Sequence, residues 1–325
     1  MWRRRLASFV SLGFLLLWIP KIVQAYDIGV THQRLTIWTT EQSARAITTA
    51  EKNWLIAGAV AEDSPVSRTL HHFWSPQTDQ PLNSGLYAAM NLATAPDWGQ
   101  TGDRQASWLY QGKFSWNQAI EAYRQGDLEK AFVNLGHVLH LLQDMTVPAH
   151  VRNDPHELGD SYENWAWQNR DQISSYPGIV YPRCLDYRDC FRQLALTVSQ
   201  HYFSQDTIDY QTRPQTSGYI NYRGYKLVYY QADRQRFFLD DQVEADYWRQ
   251  LSPLAVGYGA ELLRLFFLSV DGLLTATIIK PTTTPTVAAP ITTIPRVITT
   301  PKVTTTIKVA STTKSTTVKV AATTT

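Results

Sequence analysis

Apolar residues recur at helical spacing through most of the chain between residues 31 and 274. The clearest repeat runs in steps of three and four residues and consists of Leu128, Phe132, Leu135, Leu139 and Leu142. Residues at such steps lie on one face of an α-helix, so the repeat predicts an amphipathic helix. Asp127, just before the repeat, is expected to cap this helix, and Pro148 is expected to end it by about the preceding residue.

Comparable patterns predict helices on both sides of this one, so the expected fold is mostly α. The predicted helical segments are residues 31–50, a helix beginning near Gly85, and residues 103–125, 162–170, 191–202 and 254–274. The bulky residues of 103–125, Trp108 among them, are expected mostly in the core. Alternation over residues 217–230 predicts a hairpin. The last helix is strongly apolar, but Glu261, Arg264 and Asp271 interrupt it, which favours a packed core helix over a membrane span.

The amino-terminal residues have the pattern of a secretory signal peptide. Three arginines, Arg3 to Arg5, precede an apolar run over residues 6–19, and a small-residue cleavage site ends at Ala25. The alternative is an uncleaved anchor, although the run is shorter than the ~20 residues of a spanning helix. Residues 1–25 are therefore expected to be removed, which leaves Tyr26 as the first mature residue and predicts a secreted or cell-surface protein.

The carboxyl-terminal residues 281–325 differ in composition from the rest of the chain. They contain neither aromatic nor acidic residues and are rich in Thr, Pro and Val. Such a segment cannot bury enough apolar surface to fold, so a disordered tail is expected. It is interpreted either as a glycosylated stalk or as a passive tail. Residues 26–280 then form one multi-helix domain.

Charge and cysteine usage narrow the classes of function. The formal charge is +2, but the signal carries four basic residues and the tail five, with no acids, so residues 26–280 carry −7. A negative domain is not steered toward nucleic acid by a basic face. The two cysteines, Cys184 and Cys190, are expected to form a disulfide in an exported chain.

The candidate chemistry is concentrated between residues 140 and 163. This window holds His140, Asp144, His150, His156, Asp160 and Glu163. Imidazole nitrogens and carboxylate oxygens are ligands of zinc, and a His and an Asp four apart on a helix lie on one face, one turn apart. The residue His150 follows the break at Pro148 and is expected to serve a neighbouring ion. Two plainer interpretations exist: a surface His–Asp pair, and a capping box formed by Asp160 and Glu163.

The spacing His140-x3-Asp144-x5-His150, followed by Tyr162-Glu163-Asn164-Trp165, resembles the zinc-dependent bacterial phospholipase C family. That family is related to single-strand nucleases that use three zincs. The resemblance implies a mostly helical domain of this type and up to three Zn²⁺ ions. The chain departs from the pattern where a His is expected four residues before Glu163, because this position is Gly159. His156 or Asp160 is expected to replace it.

An earlier segment continues the resemblance. His72-Phe73-Trp74-Ser75-Pro76 is similar to a His-Phe-Tyr-Asp-Pro segment of the family whose His binds the first zinc, which leaves His71 as a bystander. The family also has an Asp shortly before, near the attacking water. Asp63 is the candidate for this catalytic role and Glu62 the second choice, while a solvated acidic turn is the plainer interpretation.

The resemblance also implies how the ligands divide. The expected first site is His72, His140 and Asp144; the second is His150 and Glu163 with His156 or Asp160; the third is Asp144, His32 and the Tyr26 backbone. The implied function is a secreted phosphodiester hydrolase, phospholipase C-like, acting on a phospholipid with transient membrane-surface contact, as a monomer. The alternatives are a single-strand nuclease with the same site, which the charge disfavours, and a non-catalytic cell-surface metal-binding protein.

Overall fold

Helices account for most of residues 30–105, 107–156, 159–172, 179, 181–210 and 213–272, which are the residues described by a computed structural model. The α-helices are α1 (Thr31–Glu41), α2 (Thr49–Ala61), α3 (Ala95–Thr101), α4 (Trp116–Arg124), α5 (Leu128–Asp144), α6 (Pro148–Val151), α7 (Ser161–Asn169), α8 (Tyr187–His201) and α9 (Asp241–Val270). The expectation of a mostly α fold is confirmed. The predicted signal peptide, Tyr26 and the Thr-rich tail lie outside the described residues.

Helix α5 is the centre of the fold, and its side chains from Ala131 to Asp144 are almost all buried. It packs against α2 at unusually short range. A Cβ on Gly58 would lie 2.0 Å from the carbonyl oxygen of Val133, and one on Gly136 would lie 2.2 Å from that of Leu55. The two backbones are therefore in contact, and only glycine fits at this crossing.

The predicted boundaries of α5 are nearly right. The Asp127 side chain accepts a hydrogen bond from the backbone N–H of Lys130, which confirms the cap. The helix ends at Asp144, a few residues earlier than expected, and Pro148 occupies the first turn of α6 instead of terminating α5. Proline suits this position because the N–H it lacks would have no helical partner there.

The prediction of one helix over residues 103–125 is wrong. Two 3₁₀ turns, Asp103–Gln105 and Trp108–Tyr110, precede α4, whose cap is Ser115. The chain adopts positive φ at Gln111 (51°) and Gly112 (150°), which interrupts any continuous helix. As a result Trp108 is 84% exposed and is not a core residue.

Three other predicted helices also differ in extent. The segment 31–50 is divided between α1 and α2, because Thr48 and Glu51 form a capping box that starts a new helix. The chain near Gly85 forms only a 3₁₀ turn, Gly85–Ala89, and α3 begins later. Helix α8 starts at Tyr187, before the expected residue 191.

The last helix, α9, is longer than predicted and contains Pro253 within it. By length and composition it could cross a membrane, but 67% of its most apolar window is buried inside the fold. Its N-terminal part packs on a three-stranded antiparallel sheet of order β1-β2-β3, formed by Gly218–Tyr222, Tyr225–Gln231 and Arg236–Phe238. The predicted hairpin is thus confirmed, with a third strand that the sequence pattern had not indicated. The expected disulfide joins Cys184 and Cys190.

Candidate metal centre

Five buried side chains from four parts of the chain converge on the carboxyl-terminal end of α5. Helix α5 supplies His140 and Asp144, α1 supplies His32, and the residue after the 3₁₀ turn Val66–His71 is His72. Asp63 follows the end of α2. These residues form two groups, His32–His140–Asp144 and Asp63–His72–His140, whose candidate ligand atoms lie within 4.8 Å of one another. Side chains up to 112 positions apart are therefore brought together.

Asp144 lies between both groups. Its Oδ2 is 2.8 Å from Nδ1 of His72 and 3.3 Å from Nε2 of His140, and its Oδ1 is 3.3 Å from Nε2 of His32. Two ligands at the usual zinc bond length of ~2.0 Å and a tetrahedral angle are ~3.3 Å apart. The observed separations therefore match the edges of a zinc coordination tetrahedron, with the two Asp144 oxygens directed to different groups.

Hydrogen bonds to the far ring nitrogens orient two of these histidines. Nδ1–H of His140 donates to the carbonyl of Ala59 at 2.7 Å, and Nδ1–H of His32 donates to Oε1 of Gln143 at 2.7 Å. The amide of Gln143 is held in turn by Thr36. Since each Nδ1–H is donated elsewhere, Nε2 is the ring nitrogen that lies toward Asp144, and it would supply the lone pair to a metal ion.

Glu62 and Asp63 are adjacent in sequence but have different surroundings. Asp63 is buried with its Oδ1 3.4 Å from Nε2 of His140, and neither of its oxygens accepts a hydrogen bond from a described residue. Glu62 pairs with Arg68 at 2.6 Å and accepts hydrogen bonds from Trp98 and His137. The geometry thus places Asp63, not Glu62, at the candidate centre, and the interpretation as a solvated acidic turn is wrong because both side chains are buried.

A third group, His150, His156 and Glu163, lies beside the first two. Nε2 of His150 is 3.5 Å from Oε1 of Glu163, and Nε2 of His156 is 3.3 Å from Oε2. Nδ1–H of His156 donates to the carbonyl of Asp154 at 2.8 Å, which again leaves Nε2 as the ligand atom. His150 also approaches Oδ2 of Asp144 at 3.6 Å through Nδ1, so the third group adjoins the others.

The replacement for the expected His at position 159 depends on a tight turn. His156 has φ +34° and Gly159 has φ +101°, and the N–H of Gly159 donates to the carbonyl of His156 at 2.8 Å. This turn directs His156 back toward Glu163. The other candidate, Asp160, belongs to none of the ligand groups found among the described residues. Its Oδ1 instead accepts the backbone N–H of Glu163 and caps α7, so the capping interpretation holds for Asp160 but not for the Glu163 carboxylate.

The buried imidazoles and carboxylates of the centre shift one another's pKa values. Burial alone would lower the pKa of His140, but the carboxylates of Asp63 and Asp144 raise it well above its usual value. Burial would raise the pKa of Asp144, yet the neighbouring imidazoles of His140, His150 and His72 hold it well below its usual range. Burial raises the pKa of Glu163 to about 7. The neighbouring imidazoles therefore favour the ionised form of Asp144, whereas burial favours the neutral form of Glu163.

Several buried nitrogen and oxygen atoms of the centre make no hydrogen bond to a described residue, as expected for atoms that bind a divalent metal ion. Both oxygens of Asp63, both oxygens of Asp144 and both ring nitrogens of His150 are buried without a hydrogen-bond partner among the described residues. Buried polar atoms of this kind are costly unless they are satisfied by another group. Nitrogen and oxygen donors without thiolates, in groups of three, suit zinc sites that keep a position for water.

Some residues of the centre were not predicted. Gln143 orients His32, and a signal was available, because Gln143 is a polar residue between His140 and Asp144 on the same helix. Nδ1 of His137 contacts Glu62, and His137 belongs to none of the ligand groups found among the described residues. His71 is also outside the ligand groups: its Nδ1 accepts the N–H of Ala93, and burial lowers its pKa to about 3.

Comparison with known proteins finds a family similar to the segment that holds this centre. Residues 31–176 match the sequence model of the family described as zinc dependent phospholipase C, which confirms the resemblance. A comparison with curated proteins gives no match. Similar solved structures include alpha toxin from Clostridium absonum, with TM-score 0.45 and 16% identity over 75% of this chain and 65% of that chain. Another is alpha-toxin from an avian strain of Clostridium perfringens, with TM-score 0.44 and 16% identity over 77% and 65%.

The chain thus spans 65% of the length of each of these two structures. The family match, by contrast, includes every described candidate ligand from His32 to Glu163. Over residues 31–176 this chain is similar to the zinc-dependent phospholipase C family.

Proposed function

We propose that the chain is a zinc-dependent phosphodiester hydrolase that cleaves phospholipids in the manner of a phospholipase C. The observation that carries this proposal is the convergence of three buried ligand groups around Asp144 and Glu163. A phosphodiester is anionic and repels hydroxide, so its hydrolysis is helped by several cations held close together. Zinc bound by these groups would polarise the phosphoryl oxygen and lower the pKa of a bound water.

Each group of the chain has a defined part in this proposal. His72, His140 and Asp144 would hold the first ion, His150, His156 and Glu163 the second, and Asp144 with His32 the third. Tyr26, which lies outside the described residues, would complete the third site as the first mature residue. The Asp63 carboxylate, which accepts no hydrogen bond from a described residue, orients the attacking water and takes its proton.

Substitution of Asp144 tests the proposal most directly. Asp144→Asn removes the charge shared by the ligand groups, so we expect loss of bound zinc and of phosphatidylcholine hydrolysis. Asp246→Asn is the matched control, because Asp246 is also a buried acid but lies on α9 and pairs with Arg249. Zinc per chain is measured by mass spectrometry after zinc-replete purification. Fewer than two ions in the wild type, or an unchanged rate in Asp144→Asn, contradicts the assignment.

The same purified protein also tests the two alternative functions, a nuclease and a non-catalytic metal-binding protein. A single-stranded oligonucleotide assayed beside phosphatidylcholine identifies a nuclease, whose ligands would be nearly the same. Zinc binding without hydrolysis of either substrate identifies a non-catalytic metal-binding protein. The domain's charge of −7 favours the lipid over the nucleic acid.

We also propose that the protein is exported and that cleavage after Ala25 produces the mature amino terminus. The proposal depends on the arginines and apolar run of residues 3–19. Amino-terminal sequencing of protein recovered outside the producing cells is expected to begin at Tyr26. A start at Met1 in a membrane fraction would instead identify an uncleaved anchor.

A further inference from the structure

Two neighbouring 3₁₀ turns expose large apolar side chains to solvent. Trp108 is 84% exposed, Val66 is 44% exposed and Leu109 is 41% exposed. The Ser67 hydroxyl donates to the carbonyl of Leu109 at 2.5 Å, which joins the turns Val66–His71 and Trp108–Tyr110 side by side. Val66, Trp108 and Leu109 are called the apolar turn surface below. A tryptophan normally buries most of its large ring, so this exposure needs a reason.

The surroundings of the apolar turn surface carry unusually little charge. Residues 105–112 contain no Asp, Glu, Lys or Arg, and the nearest charged residues along the chain are Arg104 and Lys113. A surface selected only for contact with water would carry charged residues at such positions. An uncharged, apolar and protruding surface is instead suited to a neutral lipid layer.

The apolar turn surface is fixed rigidly to the metal centre. Arg68, in the same turn as Val66, donates to the carbonyl of Tyr110 at 3.1 Å and pairs with Glu62 at 2.6 Å. Ala93 donates its N–H to Nδ1 of His71, so the Nε2–H of His71 donates to the Tyr110 hydroxyl at 3.2 Å. His72, a candidate ligand, is the next residue. Any layer bound at the turns is therefore held in a constant position relative to the ligand groups.

We propose that Val66, Trp108 and Leu109 insert into the interface of a zwitterionic phospholipid layer. The proposal rests on the proposed phospholipase function, since it supplies the means by which that centre meets its substrate. Trp and Leu side chains gain free energy on transfer from water to the boundary between head groups and acyl chains. No charged residue within 105–112 opposes the transfer. A second copy of the chain is the competing occupant of the surface.

The test compares two double variants whose side chains have similar fractional exposure. Trp108→Ser/Leu109→Ser removes side chains that are 84% and 41% exposed, while Leu185→Ser/Leu128→Ser removes side chains that are 83% and 39% exposed elsewhere. Both are made in an Asp63→Asn background, which prevents turnover, and flotation with phosphatidylcholine vesicles measures binding. We expect the first pair to weaken binding at least about tenfold and the second to have no effect.

Hydrolysis of a soluble, monomeric phosphodiester provides the second readout, in chains that retain Asp63. It is expected to be equal in the wild type and both double variants, because the apolar turn surface does not contact the ligand groups. Single Trp108→Ser carries the same prediction if the double variant fails to fold. The proposal is overturned by a chain that never floats with vesicles, by equal losses in the two double variants, or by a dimer that Trp108→Ser/Leu109→Ser dissociates without any change in vesicle binding. Flotation that depends on the turns without any phosphodiester hydrolysis rejects the proposed function alone and keeps the surface.

Discussion

The two sides of the metal centre use similar ligands but differ in how the chain holds them. Around Asp144 three of the five side chains, His32, His140 and Asp144, lie on α1 and α5, and α5 supplies two of them with helical spacing. Around Glu163 the ligands come from the short helix α6, from a turn with positive φ at His156, and from the first turn of α7. A helix sets its side chains by a regular repeat, whereas a turn sets them by individual backbone angles. The same donor chemistry therefore depends on different kinds of sequence information.

The largest expected effect is a loss of stability on the helical side of the metal centre, around Asp144. In Gly136→Ala the new Cβ would lie 2.2 Å from the carbonyl of Leu55, so α2 and α5 must separate. We expect a loss of about 3 kcal/mol or more in the free energy of unfolding, together with loss of bound zinc. Gly218→Ala is the control, because a Cβ there meets no atom within 4 Å. Urea unfolding measures both, and equal stabilities would show that the close crossing is unimportant.

The next expected effect separates the two sides by metal content. His140 belongs to two ligand groups and His156 to one. We expect His140→Ala to lose the ion held with His72 and Asp144 and to weaken binding beside His32, and His156→Ala to lose only the ion of the Glu163 group. Zinc per chain, measured with circular dichroism as a check of folding, gives the comparison. The same zinc content in both variants would mean that the groups do not bind ions separately.

A smaller effect is expected at the turn itself. Gly159→Ala places a side chain at φ +101°, which costs ~1–2 kcal/mol of strain, so zinc affinity at the Glu163 group is expected to fall about tenfold. Gly224→Ala imposes similar strain at φ +87° in the sheet hairpin, with no atom within 4 Å of the new Cβ. It is expected to lower stability without changing zinc affinity. A chelator competition titration distinguishes the two outcomes.

The last expected effect is a pH dependence of zinc affinity at the Glu163 group, which for each pH unit is about equal to the effect of Gly159→Ala. Burial lowers the pKa of His156, but the Glu163 carboxylate outweighs it and raises the pKa to about 9 in the metal-free chain. Below that pH the imidazole is protonated, and zinc must displace the proton. The apparent affinity should fall about tenfold per pH unit below pH 9. It should fall more steeply below about 7, the raised pKa of Glu163. Affinity that is constant from pH 9 to pH 7 would argue against His156 as a ligand.

Features that depend on local spacing were predicted correctly, whereas features that depend on single backbone angles or distant contacts were not. Asp127, His140 and Asp144 were placed correctly on one helix, because a cap and an i, i+4 spacing are local features. The prediction of one helix over residues 103–125 was wrong because the backbone has positive φ at Gln111 and Gly112. The spacing of the apolar residues does not reveal these two angles. Glu62 remained an alternative to Asp63 because adjacent acids are indistinguishable until Arg68, Trp98 and His137 are seen to surround one of them.

The sequence by itself determined the helical class, the cap of α5 and the residue types that zinc would require, since these depend on spacing along one chain. The tertiary structure alone decided that His156 and not Asp160 completes the Glu163 group, that Glu62 supports the centre from outside, and that Trp108 faces solvent. The physical reason is that each of these outcomes depends on contacts between distant segments or on a few backbone angles. Neither such contacts nor such angles produce a regular repeat in the amino-acid sequence.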